Sequence, residues 1–410
     1  MNSRKLEKKI LIATVTLLII LSINLLLAHV EATDWSPYTQ LTTDPGWDID
    51  PSIVQTTDET IWVVWASDRE RVQNDIYYKT STNNGASWTD DVRLTFADPA
   101  EDIAPSIIQT ADGTIWVVWV SDRTGNYELF YKTSTDNGTS WTTDAQLTSN
   151  PSLDWNPSIM QHQNGTIWVV WESDREGPGD IYYKTSHDYG STWSPEKRLT
   201  TDPSWDLDPD IIQAYNGTIW VVWTSYRTGN YEIFYKASTD NGASWSPETQ
   251  LTENKGFNEA PSIIQARDCS LWIAWQSDRK GNQYDVYYTT STDYGSTWST
   301  DTQLTTDNAD DMSPTIMNSH EGRMWVAWAS ARIDDQFDLF YKTSDIIPIT
   351  IPGDIDDDGD VDSDDLYLFA EAYGSSVGEP AYNPDADIDG DGDVDPDDFY
   401  IFARNYGKSV

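Results

Sequence analysis

The chain has 410 residues, with 68 acidic against 25 basic side chains and a formal net charge of −43. A surface of that sign repels nucleic acid and anionic membranes, and a single cysteine, Cys269, excludes an intramolecular disulfide framework. The 21 Trp and 22 Tyr residues point instead to β-structure filled by large side chains.

Arg4, Lys5, Lys8 and Lys9 precede an almost wholly apolar run from Ile10 to Ala28, and Val30-Glu31-Ala32 offers a small-residue cleavage site. Residues 1–32 are predicted as a signal peptide. The length of the apolar run leaves an uncleaved signal anchor as the alternative. In both cases the chain that follows lies outside the cytoplasm, secreted or at the cell surface, and touches membrane only if the segment is retained.

Residues 33–345 carry a repeat. Ile61-Trp62-Val63-Val64-Trp65 returns in related form five more times, with the second Trp at 65, 119, 171, 223, 275 and 328, in steps of 54, 52, 52, 52 and 53 residues. A period near 50 with only β-type patterning predicts a β-propeller. Four strands are read in each repeat. The first follows a proline, as at Pro51-Ser52-Ile53-Val54. The second is the Trp-rich phrase, apolar enough to be buried on both faces. The third is Asp75-Ile76-Tyr77-Tyr78-Lys79 and its copies, and the fourth carries Val92-Arg93-Leu94-Thr95. The sixth repeat stops at Ser344 without its fourth strand, and the matching piece, Trp35 to Thr42, precedes the first repeat. The fold expected is all-β, a six-bladed propeller closed by the N-terminal strand, with no exposed sheet edge at the closure.

Between strands three and four stands Ser134-Thr135-Asp136-Asn137-Gly138-Thr139-Ser140-Trp141, with in-register copies beginning at Ser81, Ser186, Ser238 and Ser291. This Ser-x-Asp-x-Gly-x-Ser/Thr-Trp phrase resembles the Asp-box (BNR) repeats of the sialidase superfamily over about 310 residues. Asn83 departs from it in the first copy. The acid is expected to accept backbone N–H bonds in its own turn, the glycine to supply a positive φ, and the motif to be structural, on the face opposite any active site. The resemblance implies the fold more than the activity. A sialidase of that superfamily needs three arginines gripping a carboxylate, a Tyr–Glu nucleophile pair and an Asp acid, but here arginines recur in one slot per blade, as in Ser67-Asp68-Arg69 and Ser121-Asp122-Arg123, through Arg332. Each is expected to pair with the acid that opens strand three, such as Glu128 or Asp180, and so tie two strands together. Asn137, Asn164 and Asn216 each begin an Asn-Gly-Thr sequon. His29, His162, His187 and His320 show no metal spacing and are expected at the surface.

The loops leading into strand one hold Trp47, Trp155, Trp205 and Phe257 beside Asp and Asn. Rings for the C–H face of a sugar and acids or amides for its hydroxyls make these four the candidate ligand-binding residues. The other reading is that they cap blade interfaces. No catalytic residue can be chosen when every blade offers several carboxylates.

Residues 346–352, with Pro348 and Pro352, read as an extended linker. In residues 353–410 two acidic loops follow, each fitting a twelve-position EF-hand loop. The first places Asp354, Asp356, Asp358, Asp360, Asp362 and Asp365 at ligand positions. The second places Asp387, Asp389, Asp391, Asp393, Asp395 and Asp398 there. Gly359 and Gly392 take the sharp turn, and Val361 and Val394 can pair across the loops. A helix follows each loop, Leu366–Ala370 and Phe399–Ala403, with no helix before it. These paired loop–helix units resemble type I dockerin domains. The resemblance implies two Ca2+ ions, a cohesin-type module or surface scaffold as partner, and Ser363, Asp364, Pro396 and Asp397 as the positions that choose it. Such a module should fold only when calcium neutralises its carboxylates.

Taken together, the sequence leads to a secreted or cell-surface binding protein whose propeller presents a carbohydrate- or protein-binding face and whose dockerin-like domain docks it. A sialidase-like glycoside hydrolase carried by its dockerin is the first alternative, and a structural module of the cell envelope the second.

Overall fold

The computed structural model describes residues 35–69, 73–96, 99–281, 283–333, 336–346, 353–355, 361, 363–377, 379–388 and 393–406. The predicted signal segment and linker residues 347–352 lie outside them. No described helix is long and apolar enough to cross a membrane.

Six four-stranded antiparallel sheets form the blades. Blade 1 is Asp48–Gln55, Ile61–Ser67, Asp75–Ser81 and Val92–Arg93, and blades 2 to 5 repeat that order up to Gln303. Blade 6 contains Asp311–Asn318, Arg323–Ile333 and Gln336–Ile346, and its fourth strand is Thr39–Gln40, paired through Thr39↔Tyr341 and Gln40↔Phe340. The predicted closure is thus the observed one. It ties the two ends of the propeller chain into one sheet.

Second strands are buried along nearly their whole length, Glu172 in blade 3 and the two ends of the blade 6 strand excepted, because each lies between two neighbouring blades. The apolar core is therefore six separate layers between blades. One joins Ile53, Val63 and Trp65 of blade 1 to Met317, Trp325 and Leu339 of blade 6. Within a blade the first Trp of strand two stacks on a strand-three ring, as Trp116 on Tyr131 at 5.3 Å.

The Asp-box turns tie neighbouring blades. Ser134 Oγ accepts the Gly138 N–H at 2.8 Å and Asp136 Oδ1 accepts the Ser140 N–H at 2.8 Å. Gly138 has φ +76°, and a Cβ there would collide with the Trp62 ring of the preceding blade. Trp141 meets the same ring edge-on at 6.4 Å. Gly85 stands likewise against Trp325, so the motif also bridges the closing pair of blades.

First strands begin earlier than the proline that was expected to open them. In blade 1 the ladder starts at Asp48↔Ser67 and Ile49↔Ala66, slips, and resumes at Ser52↔Val64. The residue before each proline sits in this bulge at positive φ: Asp50 52°, Ala104 49°, Asn156 48°, Asp208 50°, Ala260 51° and Ser313 50°. Proline cannot donate to the ladder, and its ring restricts the residue before it. The six bulges turn that residue toward the propeller axis, where together they ring a central channel of about 160 Å³.

In the C-terminal segment, α1 (Ser363–Ala372) and α2 (Pro396–Asn405) follow the two acidic loops. Ile355, Val361 and Phe369 from one unit share a core with Ile388, Val394 and Phe402 from the other.

Candidate functional site at the mouth of the axial channel

Two residues before each bulge stands Asp48, Asp102, Asp154, Asp206, Asn258 or Asp311, each with no solvent exposure. The arginine of the same blade's Ser-x-Arg phrase reaches it: Arg69 at 3.0 Å, Arg123 at 2.8 Å, Arg175 at 2.8 Å, Arg227 at 2.9 Å, Arg279 at 2.7 Å to Asn258, and Arg332 at 2.6 Å. In blades 1 to 5 the other guanidinium nitrogen meets the acid ahead of strand four: Asp91, Asp144, Glu196, Glu248 or Asp301. The guanidinium lies over a strand-three ring, as Arg123 over Phe130 at 4.6 Å.

This corrects the expected pairing with the acid that opens strand three. Glu128 accepts instead from Thr148 Oγ1 at 2.6 Å and from the Asn150 N–H at 2.8 Å, and Asp180 pairs with Arg198 at 2.8 Å. The arginine points down its own strand pair toward strand one, so the partner lies behind it in sequence. Each of these arginines is already engaged by a buried acid or amide. None of them, and no other Arg or Lys among the described residues, lines the channel.

The channel mouth differs from blade to blade. The bulge residues are Asp50, Ala104, Asn156, Asp208, Ala260 and Ser313, and the residues after the second Trp are Ala66, Val120, Glu172, Thr224, Gln276 and Ala329. The polar members of the second set gather in blades 3 to 5. There each takes the bulge N–H of the next blade. The Asp208 N–H is held by Glu172, the Ala260 N–H by Thr224 Oγ1 at 3.0 Å, and the Ser313 N–H by Gln276 Oε1 at 2.7 Å.

Around this arc a network forms. Asn156 Nδ2 donates to Asp208 Oδ1 at 2.6 Å and reaches Glu172 Oε2 at 3.5 Å. Thr224 Oγ1 donates to Asp208 Oδ2 at 3.2 Å, and Gln276 Nε2 approaches Glu259 Oε2 at 3.4 Å. Burial, then the charge of Asp208, pushes the Glu172 carboxyl up to about 8. Burial, then Glu259, pushes Asp208 up to about 6. Tyr284, hydrogen-bonded to Glu259, is raised well above the ordinary phenol range, first by burial and then by that bond. Gly179 occupies the place held in other blades by Asn74, Tyr127, Tyr231, Tyr284 and Phe337, and a Cβ there would lie 3.1 Å from Leu207 Cδ2 and 3.7 Å from Glu172 Oε1. The site thus joins a carboxyl whose proton affinity burial raises to neighbouring carboxylates, an amide and a hydroxyl.

Of the four expected aromatics, Trp47, Trp205 and Phe257 precede strand one and are 48%, 47% and 39% exposed on this face. Trp155 is different. It lies within strand one of blade 3, half-buried, its ring 4.1 Å from Tyr127. His162 also departs from expectation. It is buried under the opposite face, accepting the Asn164 N–H at 3.0 Å on Nδ1.

In the C-terminal segment Asp365 and Asp398 close the two loops at 1% and 0% exposure. They accept the N–H of Ile355 at 2.5 Å and of Ile388 at 2.6 Å. Asp387 accepts from Tyr382 Oη at 2.7 Å. Asp356, Asp358, Asp360, Asp362, Asp389 and Asp391 lie outside the described residues. Among the described residues no group of three or more His, Cys, Asp or Glu stands close enough to hold a metal. Ser363 and Asp364 are exposed at the start of α1, Pro396 is exposed at the start of α2, and Asp397 lies within α2.

The BNR repeat-like domain family matches residues 21–273 and again 152–339. The chain belongs to that family. No curated protein matches the sequence. Among solved structures, this BNR propeller is similar to a protein of unknown function from Dyadobacter fermentans (14% identity, TM-score 0.67, 78% of this chain and 100% of that one). It is also similar to an α-L-arabinanase of Penicillium chrysogenum complexed with arabinobiose (14%, 0.61, 77% and 100%) and to the NanB sialidase of Streptococcus pneumoniae (10%, 0.60, 77% and 71%). At these identities the likeness establishes the fold.

Proposed function

We propose that the propeller is a carbohydrate-binding domain of a secreted or cell-surface protein, with the channel mouth as its binding site. The observation that carries this reading is the arc of Asn156, Glu172, Asp208, Thr224 and Glu259 facing the side of the propeller where Trp205 and Phe257 are exposed. Acids and amides take sugar hydroxyls, and flat rings take the C–H face. With no arginine among the described residues that line the mouth, a neutral sugar fits better than an anionic one, which sets the site apart from a sialidase. The C-terminal segment is, in this reading, a dockerin-like module that holds two Ca2+ ions and docks the chain to a cohesin or surface scaffold. Its support is the sequence of the two loops together with the shared core of Val361 and Val394 and the buried Asp365 and Asp398. Calcium would supply the charge balance that lets so many carboxylates converge.

A second reading is a glycoside hydrolase. The observation favouring it is the Glu172 carboxyl, raised to about 8 beside Asp208 at about 6, because two acids whose environments push their proton affinities apart make an acid and base pair. One experiment separates the readings. The full chain in calcium is incubated with neutral polysaccharides and with sialosides, and both retention and new reducing ends are recorded. Retention without cleavage, lost in Asp208→Ala, is expected. New reducing ends that vanish in Glu172→Gln would establish the hydrolase, and retention on sialosides alone would sink the neutral-sugar assignment.

A further inference from the structure

Four of the six blades contain the same polar joint, and blades 5 and 6 each depart from it in a different way. In blade 1 a single carboxylate, Asp91, bridges two cations: Oδ2 meets Arg69 Nη1 at 2.6 Å and Oδ1 meets Lys79 Nζ at 2.6 Å. Asp144 does the same in blade 2, to Arg123 at 2.5 Å and Lys132 at 2.8 Å. Glu196 and Glu248 repeat the bridge in blades 3 and 4 with Arg175 and Lys184, and with Arg227 and Lys236. Blade 5 keeps the acid, Asp301, but replaces the lysine with Thr289.

Blade 6 keeps both cations and lacks the acid. Arg332 and Lys342 occupy the cation positions, but the fourth strand comes from the N-terminus, and the residue ahead of Thr39–Gln40 is Tyr38. Its ring lies 4.3 Å from the Arg332 guanidinium carbon. Arg332 Nε donates to Ser330 and Nη2 to Asp311, while Nη2 also pairs with Asp307 at 3.0 Å. Among the described residues Nη1 has no hydrogen-bond partner, although the side chain is only 7% exposed. Lys342 Nζ holds the Leu304 carbonyl at 2.9 Å, as its counterparts hold theirs, and among the described residues it pairs with no acid. Burial and then the repulsion of Arg332 lower its proton affinity. A buried guanidinium N–H without a partner is destabilising. Arg332 and Tyr38 also line a surface pocket of about 370 Å³ with Asp307, Asn308 and Ile333, on the face that carries the channel mouth.

We infer that a carboxylate entering through this pocket, whose lining includes Arg332 but not Lys342, binds between those two cations, at the Arg332 Nη1 and Lys342 Nζ positions that Asp91, Asp144, Glu196 and Glu248 take in the other blades. The template for the ligand is the protein's own repeat: one carboxylate, one oxygen on the guanidinium and one on the ammonium. Tyr38, about half exposed, is the side chain beside which it enters. This site is independent of the sugar site and does not rest on it.

The test is thermal unfolding of the full chain in calcium at fixed ionic strength, with sodium formate or acetate exchanged for sodium chloride. The wild type should gain about 2 °C at ten times the dissociation constant, with saturation. Tyr38→Asp supplies the acid as the other blades do, so it should melt no lower than wild type and show no response to formate. Tyr38→Phe should respond as the wild type does. Equal effects of chloride and formate on the wild type, or an undiminished formate response in Tyr38→Asp, would overturn the assignment. Should Tyr38→Asp not fold, a wild-type and Tyr38→Phe response that chloride reproduces would overturn it alone.

Discussion

Asp48 and Asp50 stand two residues apart on one strand, and the two rings they belong to behave in opposite ways. The ring of Asp48, Asp102, Asp154, Asp206, Asn258 and Asp311 is nearly uniform, wholly buried and tied in every blade to an arginine. The ring of Asp50, Ala104, Asn156, Asp208, Ala260 and Ser313 changes chemistry at almost every step, while its backbone keeps the same positive φ. Uniformity belongs to the joint that any blade needs to hold its strands. Variation is greatest among side chains that face the channel, where six equal groups could not grip one asymmetric ligand. Under the proposed function, a repeat fold thus separates support from recognition within a single strand.

The sharpest way to break the contrast is to mutate one residue from each ring and its surroundings. Arg123→Ala leaves Asp102 buried without its counter-charge and should cost about 3–5 kcal/mol, read as a lower denaturation midpoint in urea. Asp208→Asn removes a carboxylate that the fold itself holds at a cost, so stability should change by less than about 1 kcal/mol, while retention on the sugar ligand falls at least about tenfold. A large stability loss in Asp208→Asn would place that residue with the supporting ring.

The next effect is a pH dependence. Glu172 is raised in the fold from an ordinary 4.5 to about 8. Between those values the folded protein keeps a proton that the unfolded chain releases, so stability falls as pH rises across the window. Asp208, raised from 3.8 to about 6, adds to the same fall at the lower end. Glu172→Gln keeps a carbonyl to accept the Asp208 N–H and cannot ionise. It should match the wild type at pH 5 and exceed it at pH 9 by on the order of 1–2 kcal/mol once solvent screening is allowed for. Parallel pH profiles for the two proteins would show that Glu172 is ionised in the fold.

The supporting parts were legible in the sequence because they repeat. Blade number, closure by the N-terminal strand and the Asp-box turns all follow from aligning the second Trp of each repeat. The arginine partner was not legible. The acid that follows the arginine closely in sequence points to strand four, as Asp180 does to Arg198, and the true partner is reached only when strand two folds back on strand one. The channel mouth was hidden for another reason. Its members are the positions where the repeats disagree, and the bulge that aims them inward has no residue signature beyond a following proline. The column after the second Trp, reading Ala66, Val120, Glu172, Thr224, Gln276 and Ala329, held the signal: one charged residue and two polar ones in consecutive blades of an otherwise small and apolar set. Trp155 misled because it stands after the buried acid, at the second residue of its strand, whereas Trp47, Trp205 and Phe257 stand just before theirs.

The smallest expected effect tests whether the Asp-box acid belongs with the supporting parts. Asp240 Oδ1 accepts the Ser244 N–H at 2.8 Å, and Oδ2 accepts the Ser244 hydroxyl at 2.5 Å. These bonds hold its carboxyl down to about 2. Blade 1 builds the same turn with Asn83, whose Oδ1 accepts the Ser87 N–H at 2.9 Å while its amide donates to the Ser87 hydroxyl at 2.8 Å. The hydroxyl simply reverses its role. Asp240→Asn should therefore leave the urea midpoint at pH 7 within error, and Asp240→Ala should lower it, since the Ser244 N–H then loses its acceptor. The acid's contribution is present above its ordinary 3.8 and is lost as pH falls through about 2. The wild-type advantage over Asp240→Ala should shrink across that interval, while the difference between Asp240→Asn and Asp240→Ala should not. An Asp240→Asn protein that weakened ligand retention with its stability intact would move the Asp-box from support to recognition.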